Sequence, residues 1–282
     1  MSNPSATLSP GSLVGNYKIL GLAGAGGMGV VYRALDTKLE RTVALKFLPE
    51  HTTSSREDKD RFLREARTAS SLDHANIGVI YGMEEYQSRS FIVMAYYEGE
   101  TLSRKLLRGP LPVPEAVNIA IQIVEGLAAA HAGAVMHRDV KPSNVLVSLY
   151  DGKPVPRVID FGVAKAIDQR LTERTLFTRH GAIVGTLEYM SPEQAENSSL
   201  DVDTRTDVYS LGVLLYELLT GTTPLEHQRL KDAGYREIVR RICEEEPPKL
   251  STRLSKTREL VGLARRNGYR PDELIQMIRS LS

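Results

Sequence analysis

The chain reads as an α+β protein of two lobes, a small antiparallel β-sheet lobe with one helix followed by a larger, mainly helical lobe. Three observations predict this. Short β-type runs separated by turn residues and charges dominate the pattern before Gly99. A single stretch with helical spacing, Lys59–Leu72, interrupts them. Beyond Gly99 the apolar residues recur mostly at helical spacing. The expected division is a polar, disordered tail over 1–16, a first lobe over 17–95, a junction at about 95–99, a second lobe over 96–255 and a C-terminal segment over 256–282.

Taken in order, the predicted strands are Tyr17–Leu22, Val30–Ala34, Thr42–Phe47, Gly78–Glu84 and Ser90–Ala95. The intervening helix carries Phe62, Leu63, Ala66 and Ala69 on its apolar face. In the second lobe, Pro114–His131 places Val117, Ile121, Val124 and Leu127 on one face, which is expected to be the packed one. Asp207–Leu219 is apolar almost all round and is expected to be buried.

Composition excludes several classes. With 41% hydrophobic and 25% charged residues, the 282-residue chain has the make-up of an ordinary globular protein. A net charge of +1 gives no electrostatic case for nucleic acid or a membrane surface. Cys243 is the only cysteine, so an internal disulfide is excluded and a reducing, cytoplasmic location is expected. The opening MSNPSATLSPGS has neither the basic nor the apolar region of a signal peptide. No apolar run approaches the ~20 residues of a membrane helix. The best run, Val208–Leu219, is short and carries Glu217, so no membrane segment is expected.

The chemistry begins at Gly24-Ala25-Gly26-Gly27-Met28-Gly29, a G-x-G-x-x-G run. By itself such a run is a flexible turn or a dinucleotide fingerprint, but the fingerprint requires a helix directly after the glycines. Here Val30-Val31-Tyr32 follows, which is strand. A glycine turn between two strands lets backbone N–H groups approach phosphate oxygens without Cβ obstruction. Val43-Ala44-Leu45-Lys46 then puts a lysine on the next strand, within reach of the α- and β-phosphates. An ordinary lysine is solvated at the surface, but the apolar strand around Lys46 argues against that. Glu65, within the helical stretch, is the natural carboxylate to hold Lys46, with an i,i+4 surface pair as the plainer alternative.

His137-Arg138-Asp139-Val140-Lys141-Pro142-Ser143-Asn144 is the decisive segment. It follows a helix, contains a proline that blocks helix continuation and precedes the apolar run Val145-Leu146-Val147. Asp139 can accept a hydrogen bond from a substrate hydroxyl, Lys141 can neutralise charge on a transferring group, and Asn144 offers a hard oxygen to Mg²⁺. Val158-Ile159-Asp160-Phe161-Gly162 puts a second carboxylate at a strand end, where it can bridge Mg²⁺ to the β- and γ-phosphates. Loop Asp and Asn residues are usually caps or turn formers, but two such loops after a lysine-bearing strand are not explained that way.

With Ser191-Pro192-Glu193 and Asp207 downstream, these motifs stand in the order of the eukaryotic-like Ser/Thr protein kinases, which the sequence resembles from Tyr17 to about Ser255, the bacterial branch in particular. The resemblance implies the bilobal kinase fold, ATP with Mg²⁺ (Mn²⁺ as a substitute), and protein substrates with Ser or Thr acceptors. It implies that Ala23, Gly24, Ala25, Gly26, Gly27, Met28 and Gly29 cover the nucleotide. The adenine would be held by the backbone of Ala95 and Tyr97 behind a Met94 gatekeeper, with Val31, Ala44 and Leu146 sandwiching the ring. Lys141 after Asp139, and Gly185-Thr186 before Ser191, are similar to Ser/Thr rather than tyrosine kinases. Between Asp160 and Glu193 lie Thr172, Thr175 and Thr178. Autophosphorylation is expected at Thr175 or Thr178, where a phosphate would pair with Arg138, with dimerisation as a route to trans-autophosphorylation.

The sequence departs from the family pattern at Ala23, Ala75, Leu187 and Ser191, none of which removes a catalytic group. The C-terminus departs more. Related kinases continue past Glu244–Pro248 into two further helices, with an arginine that pairs with the glutamate here numbered Glu193. Arg270-Pro271 resembles that element, but the helix before it is about a turn too short. The expectation is therefore a chain lacking its final helices, with a buried Glu193 left unpaired at a cost of roughly 3–5 kcal/mol. Two alternatives to an active kinase follow: a catalytically silent kinase-fold binding module, and a small-molecule phosphotransferase, which Gly185-Thr186 and Ser191-Pro192-Glu193 argue against.

Overall fold

Side-chain alternation builds the first sheet. In β2 (Tyr17–Gly26) Tyr17 and Ile19 are buried while the alternate residues Lys18 and Leu20 are exposed. Two register shifts in its pairing with β3 (Gly29–Asp36), at Ile19/Gly21 and Leu22/Gly24, bend the strand on its way to the glycine turn. With β1 (Leu13–Val14), β4 (Arg41–Phe47), β5 (Ile80–Tyr86) and β6 (Arg89–Ala95), they form an antiparallel sheet in the order β1-β2-β3-β4-β6-β5. The computed structural model describes residues 8–26, 29–49, 56–161, 187–196, 202–225, 234–256 and 260–280. The core of this sheet is an aromatic cluster: Phe47 stacks on Phe91 at 5.0 Å between ring centroids, with Tyr32 and Tyr17 set edge-on against them. Helix α1 (Arg56–Ser70) buries Ala66 and Ala69.

Part of the expected disordered tail is structured. Val14 is fully buried, β1 pairs with β2, and Gly11 and Ser12 exchange backbone hydrogen bonds with Ile19. A polar, Pro- and Ser-rich composition hid one apolar residue with a place in the core.

The second unit begins at Gly99, where a Cβ would sit 2.3 Å from the Val147 carbonyl, so only glycine fits. Its strands β7 (Glu100–Thr101), β8 (Val145–Tyr150) and β9 (Lys153–Val158) form a small antiparallel sheet. Helix α2 (Leu102–Leu106) follows β7, and α3 (Val113–Ala132) packs on β9. After α4 (Pro192–Ala195) comes α5 (Thr204–Thr220), which packs on α3; then come α6 (Tyr235–Glu244), α7 (Leu250–Lys256), α8 (Leu260–Arg266) and α9 (Pro271–Ser280).

Two expectations need correction here. The packed face of α3 is Ala116, Ile119, Ala120, Ile123, Leu127 and Ala130, whereas Val117, Ile121 and Val124 are 37%, 53% and 48% exposed. The helix is apolar on both sides, and the packed face mixes alanines with Ile119, Ile123 and Leu127. At 20 residues α3 is also long and apolar enough to span a membrane by those measures alone, which the sequence reading did not recognise. It packs as a core helix with one face buried.

The segment after Pro248 is not bare. α7, α8 and α9 pack on one another through Leu254, Leu263 and Leu274, all fully buried, and Ile278. Glu193 is only half-buried and its Oε1 accepts the Thr206 hydroxyl at 2.6 Å, so the expected penalty for a buried, unpaired carboxylate does not arise. Arg270 pairs instead with Asp272 and Glu273 at the surface.

Candidate active site

In the first unit the glycine turn is carried by the β2–β3 hairpin, where Gly24 faces Val31, Ala25 faces Val30 and Gly26 faces Gly29. Gly29 has φ +117, and a Cβ there would lie 2.0 Å from the Phe47 carbonyl oxygen. Around Gly24 and Gly26 the space is open, as a cradle for an incoming group requires. Gly27 and Met28 lie outside the described residues.

Strand β4 is covered on both sides, so Ala44 and Lys46 are each only 6% exposed. Register places Lys46 between Val31 of β3 and Ile92 of β6, and Ala44 opposite Met94. A lysine that deep is held by its surroundings, not solvated. Glu65 is half-buried on α1, directly before buried Ala66. The N–H of Ala95 donates to Val79 O at 2.9 Å. The Val79 N–H in turn donates to the Tyr97 hydroxyl at 3.1 Å, anchoring Tyr97 where the chain leaves the sheet.

The second unit brings four predicted residues together. Lys141 Nζ lies 2.8 Å from Asp139 Oδ2, and both side chains are buried. Asn144 Nδ2 donates to the same Oδ2 at 3.0 Å and to the Asp139 carbonyl at 2.9 Å. A short 3₁₀ turn, Pro142–Asn144, makes this possible, because it stops just where β8 begins. β8 pairs with β9 from Val145 opposite Val158, and beyond that pair Ile159 N–H donates to Asn144 O at 2.8 Å. The hairpin thus delivers Asp160, with a left-handed φ of 65°, beside Asn144. Leu146, half-buried on β8, pairs with Thr101.

His137 ties the loop to that strand end. Its Nδ1 accepts the Asp139 N–H at 3.2 Å and its Nε2 lies 3.0 Å from Ile159 O, so the neutral ring protonated on Nε2 satisfies both. The ring also packs edge-on against Phe161 at 4.8 Å.

Two residues to which the sequence assigned no role complete the arrangement. Asp207, fully buried on α5, accepts the N–H groups of His137 and Arg138 and lies 2.8 Å from His131 Nε2. Gln194 donates to the Arg138 carbonyl. A carboxylate inside an otherwise apolar helix was itself a signal, because a buried charge requires partners. Gly162, Thr172, Thr175, Thr178, Gly185 and Thr186 lie outside the described residues.

As a metal site the second unit fits a hard cation. Asn144 gives its amide nitrogen to Asp139, its oxygen could serve a cation as well as the Ser143 hydroxyl 3.4 Å away, and Asp160 could add a carboxylate. So few protein oxygens suit Mg²⁺, which keeps waters and takes the rest of its shell from phosphates.

Residues 17–281 match the family model for the protein kinase domain. The chain is 42% identical over 213 residues to the serine/threonine-protein kinase PrkC of Bacillus subtilis, covering 75% of this chain and 31% of that protein. It is 40% identical over 235 residues to the serine/threonine-protein kinase pkn3 of Myxococcus xanthus, covering 82% and 42%. The chain therefore spans only 31% and 42% of the length of these two relatives. The crystal structure of the Mycobacterium tuberculosis PknI kinase domain matches with a TM-score of 0.68 at 24% identity, over 98% of this chain and all of that one. The order of motifs, the buried Asp139–Lys141–Asn144 group and the family match agree: the chain belongs to the protein kinase domain family.

Proposed function

We propose that this chain is a serine/threonine protein kinase domain that transfers the γ-phosphoryl group of ATP to Ser or Thr hydroxyls of proteins, its own activation segment included. The observation that carries the reading is the convergence of Lys141 and Asn144 on one oxygen of Asp139. A carboxylate fixed in this way accepts the hydrogen bond of a substrate hydroxyl and aims its oxygen at the phosphorus, while Lys141 offsets charge on the transferring group. Mg²⁺ held by Asn144 and Asp160 would supply charge neutralisation at the phosphates. In the first unit, Lys46 binds phosphate oxygens, the glycine turn approaches them with backbone N–H groups, and Ala95 and Tyr97 receive the adenine edge against Val31 and Ala44. The names of PrkC and pkn3 support the choice of Ser/Thr over Tyr acceptors.

The test is phosphoamino-acid analysis after incubating the chain with γ-labelled ATP, Mg²⁺ and a generic basic protein. Label on serine or threonine, lost on chelation by EDTA, is expected. Label on tyrosine would refute the acceptor class, and ATP binding without turnover would favour a silent binding module. Mapping the self-incorporated label tests the expectation of Thr175 or Thr178; phosphate found only outside 165–186 would contradict it.

A further inference from the structure

Gln194 touches two segments at once. Its amide oxygen accepts the N–H of Ser191 at 3.2 Å, and its amide nitrogen donates to the carbonyl of Arg138 at 3.0 Å. The first contact is one arm of a capping box, which glutamate would make equally well. The second requires a donor, which a carboxylate lacks. Among the described residues, the Arg138 carbonyl is therefore the contact that selects glutamine over glutamate at this position.

That carbonyl belongs to a particular peptide. Arg138 has φ 61°, a conformation a non-glycine residue keeps only when its surroundings hold it there. Its N–H is held by Asp207 Oδ1 at 2.7 Å. Its carbonyl begins the peptide that leads into Asp139, and the N–H of that same peptide donates to His137 Nδ1. Gln194 and His137 thus grip the two edges of one peptide plane. The plane sets the direction in which the Asp139 side chain leaves the backbone. Lys141 and Asn144 fix the far end of the side chain at Oδ2, and the near end depends on this plane.

We propose that Gln194 is a positioning residue for phosphoryl transfer: it locks the Arg138–Asp139 peptide and makes the aim of Asp139 depend on the seating of Ser191 and Pro192 at the start of α4. This rests on the kinase reading above. It gives the Ser191–Gln194 turn a route to the catalytic carboxylate that uses one amide side chain.

Two variants separate positioning from capping. Gln194→Glu keeps the acceptor for Ser191 and loses the donor to Arg138; Gln194→Met loses both at similar length. Each is compared with the wild type for kcat, the KM for ATP and the melting temperature. Both variants are expected to lose about tenfold in kcat, the scale of one hydrogen bond's contribution to orientation. The KM for ATP should stay within about twofold, since no nucleotide contact is removed. Gln194→Glu should melt a little below the wild type, because the Arg138 carbonyl loses its donor, and Gln194→Met lower still, because the cap is lost as well. A wild-type kcat in Gln194→Glu, with any loss confined to Gln194→Met and matched by its lower melting temperature, would overturn the proposal and leave Gln194 a helix cap. A wild-type chain that binds ATP without turnover would instead overturn the kinase reading, and the proposal with it.

Discussion

Asp207 receives the backbone N–H of Arg138 at 2.7 Å, and Arg138 is the left-handed residue immediately before Asp139. Its other oxygen takes the His137 N–H, so one buried carboxylate on α5 shapes the backbone that precedes Asp139. Asp207→Asn turns one acceptor into an NH₂ group that faces a backbone donor. A buried group left unsatisfied costs about 1–3 kcal/mol. Urea denaturation should show a loss of that size, and phosphoryl transfer should fall with it. An unchanged midpoint would show that the loop holds its shape without α5.

The glycine turn separates folding from binding. Gly29→Ala forces a Cβ against the Phe47 carbonyl at positive φ and should cost roughly 1–3 kcal/mol. Gly24→Ala meets open space and should change stability by less than about 1 kcal/mol. It should nevertheless weaken ATP binding severalfold, because the added methyl stands where a phosphate approaches. Thermal melts and nucleotide titration of the two variants check the contrast. Equal stability losses would mean that the turn is structural throughout.

The contrast marks what the sequence could reveal. The five predicted strands, the helix holding Glu65 and the group Asp139, Lys141, Asn144 and Asp160 were legible, because each rests on local spacing and on side chains with few plausible uses. The packed face of α3 was not. Helical spacing fits either side of this helix, which is apolar on both, and which face is packed is a tertiary fact. β1 was hidden by a tail-like composition. The three C-terminal helices were not placed from the sequence, because their buried leucines show only in how the helices pack on one another.

The C-terminal helices also reach back. Asn267, just after α8, accepts the N–H of Val113 at 2.7 Å and donates to Leu263 O at 2.8 Å. Pro112, which precedes α3, offers no side-chain cap, so Asn267 serves from a distant part of the chain. Asn267→Ala should cost about 0.5–2 kcal/mol, as loss of a cap does. Hydrogen exchange should quicken at the first turn of α3; unaltered protection there would contradict the role.

Glu217 gives stability a dependence on pH. Burial pushes its carboxyl above the usual range, nearby Glu188 adds to the shift, and the hydrogen bond from Tyr189 opposes it. The native state therefore keeps a proton that the unfolded chain has already released. Stability should fall as pH rises from the ordinary glutamate value of 4.5 to the raised native value, and this contribution should be flat above it. Glu217→Gln removes the effect, so its stability relative to the wild type should grow over that interval. A difference independent of pH, followed by denaturant titration at a series of pH values, would contradict the assignment.

The most direct test is the initial rate of γ-phosphoryl transfer to a Ser/Thr acceptor by the wild type and by Asp139→Asn, each first shown to bind ATP. Asp139→Asn should lose at least about 10²-fold, the scale of a positioned base. Equal rates from the two proteins would contradict the role given to Asp139 and the phosphotransfer site built around it.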